Sequence, residues 1–182
     1  MAARPRFRPR MLPLIFCGLT AACGPSSPSA RIDLVAALPT AERRALHDPD
    51  AAIRAELVAV GADRLPAIVT DAPARLIFPV RMPTRARLTA RLALQPGSSG
   101  ATVRIGISDD RFYDELLRLP IARPADGPAA WRAVDVDLAA YSGWQWSVFY
   151  HPARRTWKLV LNADATPGGS VVWLQPAIDL RD

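Results

Sequence analysis

Between positions 144 and 157 the chain carries Trp144, Trp146, Tyr150 and Trp157, interleaved with Gln145, His151, Arg154 and Arg155. Indole and phenol rings stack on the apolar C–H faces of sugars, while guanidinium, imidazole and amide groups bond the hydroxyls. A small-molecule site needs this mixture of apolar wall and a few convergent polar groups. The same rings are large hydrophobes that fill cores, and the sequence leaves both roles open. Alternation puts Trp157 on one face with Leu159 and Leu161, a core position. Asp109, Asp110, Asp114 and Glu115 form an acidic cluster. Calcium takes six to eight oxygens and the spacing fits no EF-hand loop, so a solvated turn is expected there. Asp135 and Asp137 alternate outward from one strand, ~7 Å apart at ~3.3 Å per residue. That separation is within reach of a glycosidase pair, but no third group supports them. There is no G-x-S-x-G elbow; Gly97-Ser98-Ser99-Gly100 reads as a hairpin turn. His47 and His151 have no metal-ligand spacing, and no glycine-rich loop opens a helix. The expectation is a protein that binds rather than catalyses, with no cofactor and no metal.

Cys23 carries a different chemistry. Arg4, Arg6, Arg8 and Arg10 precede an apolar stretch from Met11 to Ala22, which ends in Leu19-Thr20-Ala21-Ala22-Cys23. About 20 apolar residues are needed to span a bilayer core, so this stretch is too short for a stable transmembrane helix. A cationic region, a short apolar region and small residues before a cysteine resemble a bacterial lipoprotein signal. Thr20 stands three places before the cysteine, where that family most often has Leu. The resemblance implies cleavage before Cys23 and a diacylglycerol on its thiol, with residues 1–22 as signal. Residues 23–30, rich in Gly, Pro and Ser, would form a flexible tether. Two or more acyl chains hold a protein firmly on a membrane. By analogy, Gly24 in place of Asp implies sorting to the outer membrane of the cell envelope.

Export would carry the mature chain to an oxidising compartment. Cys17 would leave with the signal, so no disulfide is available and an apolar core must supply stability. Residues 31–182 suffice for one such domain. The formal charge is +6, from 23 Lys+Arg against 17 Asp+Glu. Four of those arginines precede Cys23, which leaves 19 against 17, near +2. No basic stripe with interleaved aromatics is present, so nucleic acid is not an expected partner.

The elements that must position these groups read mainly as strands. Ile32–Leu38 is a short amphipathic element. Thr40 followed by Glu42 predicts a capped helical turn over residues 41–46, broken at His47-Asp48-Pro49-Asp50. From there the period is two. Ala86, Leu88, Ala90, Leu92 and Leu94 alternate with polar residues over a strand from Arg85 to Leu94. Further strands are expected at 55–60, 75–80, 102–107 (Val103, Ile105 and Ile107 inward), 113–119, 134–138, 157–161 and 170–173, with Ile178 extending the last. Pro79 and Pro83 place the 75–80 strand near an edge or at its end. About eight short strands with Pro/Gly/Asp turns predict an all-β antiparallel sandwich of jelly-roll type with a short N-terminal helical segment.

The C-terminal half resembles a galactose-binding-domain-like jelly roll, the scaffold of many carbohydrate-binding modules. The resemblance rests on Trp131-Arg132-Ala133-Val134-Asp135-Val136-Asp137-Leu138, Tyr141-Ser142-Gly143, Leu159-Val160-Leu161-Asn162-Ala163-Asp164 and Trp173-Leu174-Gln175-Pro176-Ala177-Ile178. It covers roughly residues 75–182 and implies that the last strand returns beside the one containing Val134 and Val136. Trp131 and Trp173 read as core. Relatives pass from Tyr-x-Gly to the next strand within a residue or two. Here about a dozen residues intervene, and two registers are open: Trp146–Tyr150 is itself the strand with its aromatics in the core, or residues 144–156 are a loop before a strand starting at Trp157, which puts Leu161-Asn162-Ala163-Asp164 where the family ends that strand. The implied function is binding of a glycan or envelope polysaccharide, through Trp144, Trp146, Tyr150, His151, Arg154 and Arg155. The alternative is docking on a partner protein of the envelope.

Overall fold

The structure is a computed structural model that describes residues 31–83, 85–122, 130–141, 156–164 and 169–180. In chain order the elements are β1 (Arg31–Asp33), α1 (Leu34–Ala37), β2 (Glu42–Ala45), α2 (Pro49–Ala52), β3 (Ile53–Val60), β4 (Asp63–Asp71), β5 (Ala74–Val80), β6 (Ala86–Leu94), β7 (Gly100–Ser108), β8 (Tyr113–Ala122), β9 (Arg132–Asp137), β10 (Trp157–Asp164) and β11 (Ser170–Leu180). One sheet has the order β3-β4-β11-β6-β9, with β1 also on β11; the other has the order β2-β5-β10-β7-β8. Every pairing in both is antiparallel. The expected sandwich is present.

The core lies where alternation placed it. Ala86, Leu88, Ala90, Leu92 and Leu94 of β6 are buried, and they face Leu76 and Phe78 of β5, Val103, Ile105 and Ile107 of β7, and Leu159 and Leu161 of β10. Trp173 is fully buried, and its indole N–H donates to the Thr70 hydroxyl at 3.0 Å. Trp131 lies elsewhere. It covers a second apolar cluster of Ala67, Val69, Val172 and Leu174 on the outer face of the six-stranded sheet. The Arg91 guanidinium stands 5.9 Å from its ring centre.

Four local expectations need correction. The helical turn over residues 41–46 is not formed: Glu42–Ala45 is strand β2, paired with Ala74–Ile77 of β5. The helix lies upstream. Asp33 caps α1, its Oδ1 accepting from the backbone N–H groups of Val35 and Ala36. The Thr40 hydroxyl donates back to the Ala37 carbonyl and so closes a 3-10 turn instead of opening a helix. Second, His47-Asp48-Pro49-Asp50 starts α2, with Asp48 as its cap and Pro49 in its first turn. Third, of the two readings of Pro79 and Pro83, the strand end holds, since β5 stops at Val80, and the edge does not, since β5 is an interior strand. Pro79 lies past the end of β2, on a stretch paired only with β10, so its missing N–H breaks no ladder bond on the free side. Fourth, β11 does not lie beside β9; β6 stands between them.

Candidate functional site

One end of the sandwich gathers three aromatic side chains, Phe112, Tyr141 and Trp157. Trp157 opens β10 opposite Val80. Phe112 lies at the end of the turn between β7 and β8, and Tyr141 closes a 3-10 turn after β9. The Tyr141 and Trp157 rings meet edge to face with centres 5.4 Å apart, and Phe112 meets Trp157 at 5.9 Å. Such pairs contribute roughly 0.5–1.5 kcal/mol each beyond their buried area. The contact brings Tyr141 and Trp157 together although they are separated in the chain. Trp144, Trp146, Tyr150, His151, Arg154 and Arg155, as well as Cys23, lie outside the described residues.

Each supporting turn has an identifiable cause. The Asp137 carboxylate accepts from the Ala139 N–H at 2.8 Å, and the Tyr141 N–H returns to the Leu138 carbonyl. The Asp109 carboxylate accepts from the N–H groups of Arg111 and Phe112, each at 3.0 Å. The Ser108 hydroxyl donates to the Phe112 carbonyl at 2.8 Å. These bonds set Phe112 and Tyr113 at the surface, each 44% exposed.

The acidic residues are engaged one by one. The Tyr141 hydroxyl donates to Asp114, and Lys158 pairs with Asp110. Glu115 takes Arg118 at 2.7 Å. Asp135 pairs with Arg87 at 2.6 Å across the β6–β9 ladder. Asp135 and Asp137 therefore serve a cross-strand ion pair and a turn cap. Among the described residues, no three His, Cys, Asp or Glu side chains converge as metal ligands, and no helix is long and apolar enough to cross a membrane.

Burial first, then the hydrogen bond to Asp114 and its negative charge, push the Tyr141 phenol up to about 12. In an unfolded chain this proton leaves near pH 10. Between those values the unfolded state binds fewer protons than the folded state, so stability falls as pH rises. The contribution is whole below about pH 10 and lost by about pH 12. Tyr113 is raised in the same direction, chiefly by burial. Urea midpoints measured at pH 9 and pH 11 should therefore drop less in Tyr141→Phe than in the parent chain. An equal drop would mean that the phenol does not titrate with folding.

Sequence reasoning found Trp157 but gave no site role to Phe112 or Tyr141. Phe112 had no signal, because only the Asp109 turn brings it to Trp157. Tyr141 was visible as part of a motif, although its ring contact depends on strands far apart in the chain.

No protein-family model matches the chain, and no curated protein matches it in sequence. Solved structures do resemble it. The K1 cleaved adhesin domain of Lys-gingipain from Porphyromonas gingivalis W83 superposes with a TM-score of 0.56 at 11% identity, covering 86% of this chain and 99% of that one. A Clostridium perfringens ZmpB structure, containing the M60 catalytic domain with CBM51-1 and CBM51-2, matches with a TM-score of 0.50 at 10% identity. That match covers 83% of this chain and 15% of the other. The fold is an antiparallel β-sandwich of jelly-roll type. At these identities the likeness fixes the fold alone.

Proposed function

We propose that this chain is a lipid-anchored module of the cell envelope that binds a glycan through the aromatic end of its sandwich. The observation that carries the reading is the ring contact of Trp157 with Tyr141 and Phe112, because Tyr141 and Trp157 flank the Trp144–Arg155 stretch in the sequence. Sugar faces would stack on Trp144, Trp146 and Tyr150, with His151, Arg154 and Arg155 bonding hydroxyl or acidic groups. The fold is shared with an adhesin domain and with a chain containing carbohydrate-binding modules, which fits a binding role and calls for no catalytic group. Anchoring would come from acylated Cys23, with outer-membrane sorting.

The test is polysaccharide pull-down and a glycan array with the membrane-extracted protein. Trp144→Ala and Trp146→Ala should each weaken the signal about tenfold, as loss of a central aromatic anchor does. In the same cells Cys23→Ala should move the protein to the soluble fraction. A glycan signal unchanged in both tryptophan variants would reject the site, and an unchanged membrane fraction would reject the anchor.

A second reading is favoured by the exposure of Phe112 and Tyr113 at this same end. Aromatic and arginine side chains are the usual anchors of protein interfaces. Crosslinking in cells to one defined envelope protein, with a silent array, would select it.

A further inference from the structure

The outer face of the five-stranded sheet carries a row that only the strand register assembles. Arg44 of β2 lies opposite Arg75 of β5, Arg75 opposite Asn162 of β10, Asn162 opposite Arg104 of β7, and Arg104 opposite Arg118 of β8. Like charges placed directly opposite each other on neighbouring strands are unfavourable. Most of this row is compensated. Arg44 pairs with Glu42, Arg104 with Asp164, and Arg118 with Glu115. Arg75 is the exception: its Nε donates to Asn162 Oδ1 at 2.7 Å, and it has no ion pair among the described residues.

Asn162 supplies the second observation. Among the described residues three polar side chains are buried, namely Thr70, Ser98 and Asn162. Thr70 accepts from Trp173, and Ser98 accepts from the Ser170 N–H at 2.9 Å. Asn162 is 2% exposed, and its Nδ2 finds no acceptor among the described residues. A buried amide left without a partner costs about 1–3 kcal/mol and calls for an explanation. Asn162 lines a hollow of about 270 Å³, together with Arg44, Arg75, Asp164, Ala45, Leu46 and Pro73. Leu46 is 63% exposed there.

We infer that this hollow is a second ligand site, which takes a carboxylate-bearing sugar residue, a uronate. Arg75 gives its Nε to Asn162, and its two Nη atoms would match the spacing of a bidentate acceptor, a planar carboxylate. Asn162 Nδ2 donates to the same group. It has almost no surface of its own, so the ligand reaches it through a rotamer change of a flanking arginine, a fast motion for a surface side chain. Asp164 accepts from a ring hydroxyl, and its negative charge disfavours a dianionic phosphate. Ala45, Leu46 and Pro73 cover a C–H face. The hollow lies where β5 begins and β10 ends, whereas the aromatic cluster lies where β5 ends and β10 begins. The inference therefore stands or falls separately from the reading of the aromatic end.

The test is titration of the full chain with trigalacturonate, and with the matching neutral galactotriose, at low and high salt. Trigalacturonate should bind, weaken as salt rises, and lose about tenfold or more in affinity in Arg75→Gln, as loss of a charged hydrogen bond does. Asn162→Asp provides a second variant that leaves Arg75 an acceptor and so keeps the sheet intact. It should abolish uronate binding by placing a carboxylate where the ligand's own must sit. Equal binding of the neutral and acidic trisaccharides would overturn the inference, as would unchanged affinity in the two variants. Acetate competing as strongly as the uronate at equal concentration would overturn the sugar assignment.

Discussion

Trp173→Ala should destabilise the protein by about 3–5 kcal/mol, the range for deleting a large buried aromatic. Trp173 is 1% exposed at the centre of β11, the strand held between β4 and β6. Its ring packs in the cluster that joins both sheets. Alanine would leave a cavity that interlocked strands cannot close. A domain with a total stability of about 5–15 kcal/mol would lose a large share of it. Trp173→Phe separates two causes. It keeps most of the volume but deprives Thr70 Oγ1 of the indole donor, with the hydroxyl still pointing at the Val171 carbonyl 3.4 Å away. Its cost should be close to 1 kcal/mol from the lost bond, plus a smaller packing loss. Urea denaturation of both variants measures this. An alanine variant as stable as the parent would mean that Trp173 is not the keystone of the core.

Gly106→Ala is the second large effect, and it comes from too little space. Gly106 lies opposite Glu115, where the β7–β8 register shifts. A Cβ at this position would stand 2.5 Å from two atoms of the Tyr113 ring and 2.6 Å from the Asp114 carbonyl oxygen. The ring can move, but the carbonyl belongs to the ladder and cannot. The cost should be about 1–3 kcal/mol, as for other overpacked sites. In a Tyr113→Ala background it should fall without vanishing, because the backbone contact remains. A double-mutant cycle with no coupling between positions 106 and 113 would contradict this packing.

Much of the sandwich was legible because one-sided burial leaves a period of two. β6 shows it best: its inward residues are apolar, and Arg87, Thr89 and Arg91 point outward before the small Ala93. β4 was not legible, for a physical reason. Ala67, Ile68 and Val69 are all fully buried, since the outer face of β4 lies under the Trp131 cluster. A strand buried on both faces reads as a plain apolar run. β2 was misread because Thr40 and Glu42 have the spacing of a helix start, while the strand forms through its ladder to β5, a tertiary gain that local propensity does not contain. The candidate site was less legible. Trp157 followed from alternation. The rings around it and the row from Arg44 to Arg118 depend on which residues face each other across five strands, and one sequence does not carry that register.

Under the proposed anchoring at Cys23, the pairing of β1 with Ala177–Asp179 of β11, Arg31 opposite Asp179, would decide which end of the sandwich lies nearer the membrane. Arg31 leaves the sandwich at the end where β5 finishes and β10 starts. A tether from an acylated Cys23 to Arg31 can extend no further than about 29 Å, at ~3.6 Å per residue. The Phe112–Tyr141–Trp157 end would then hang over the lipid headgroups. The arginine-lined hollow would crown the far pole, about 24 Å higher along β10 at ~3.4 Å per residue, and look outward from the bilayer.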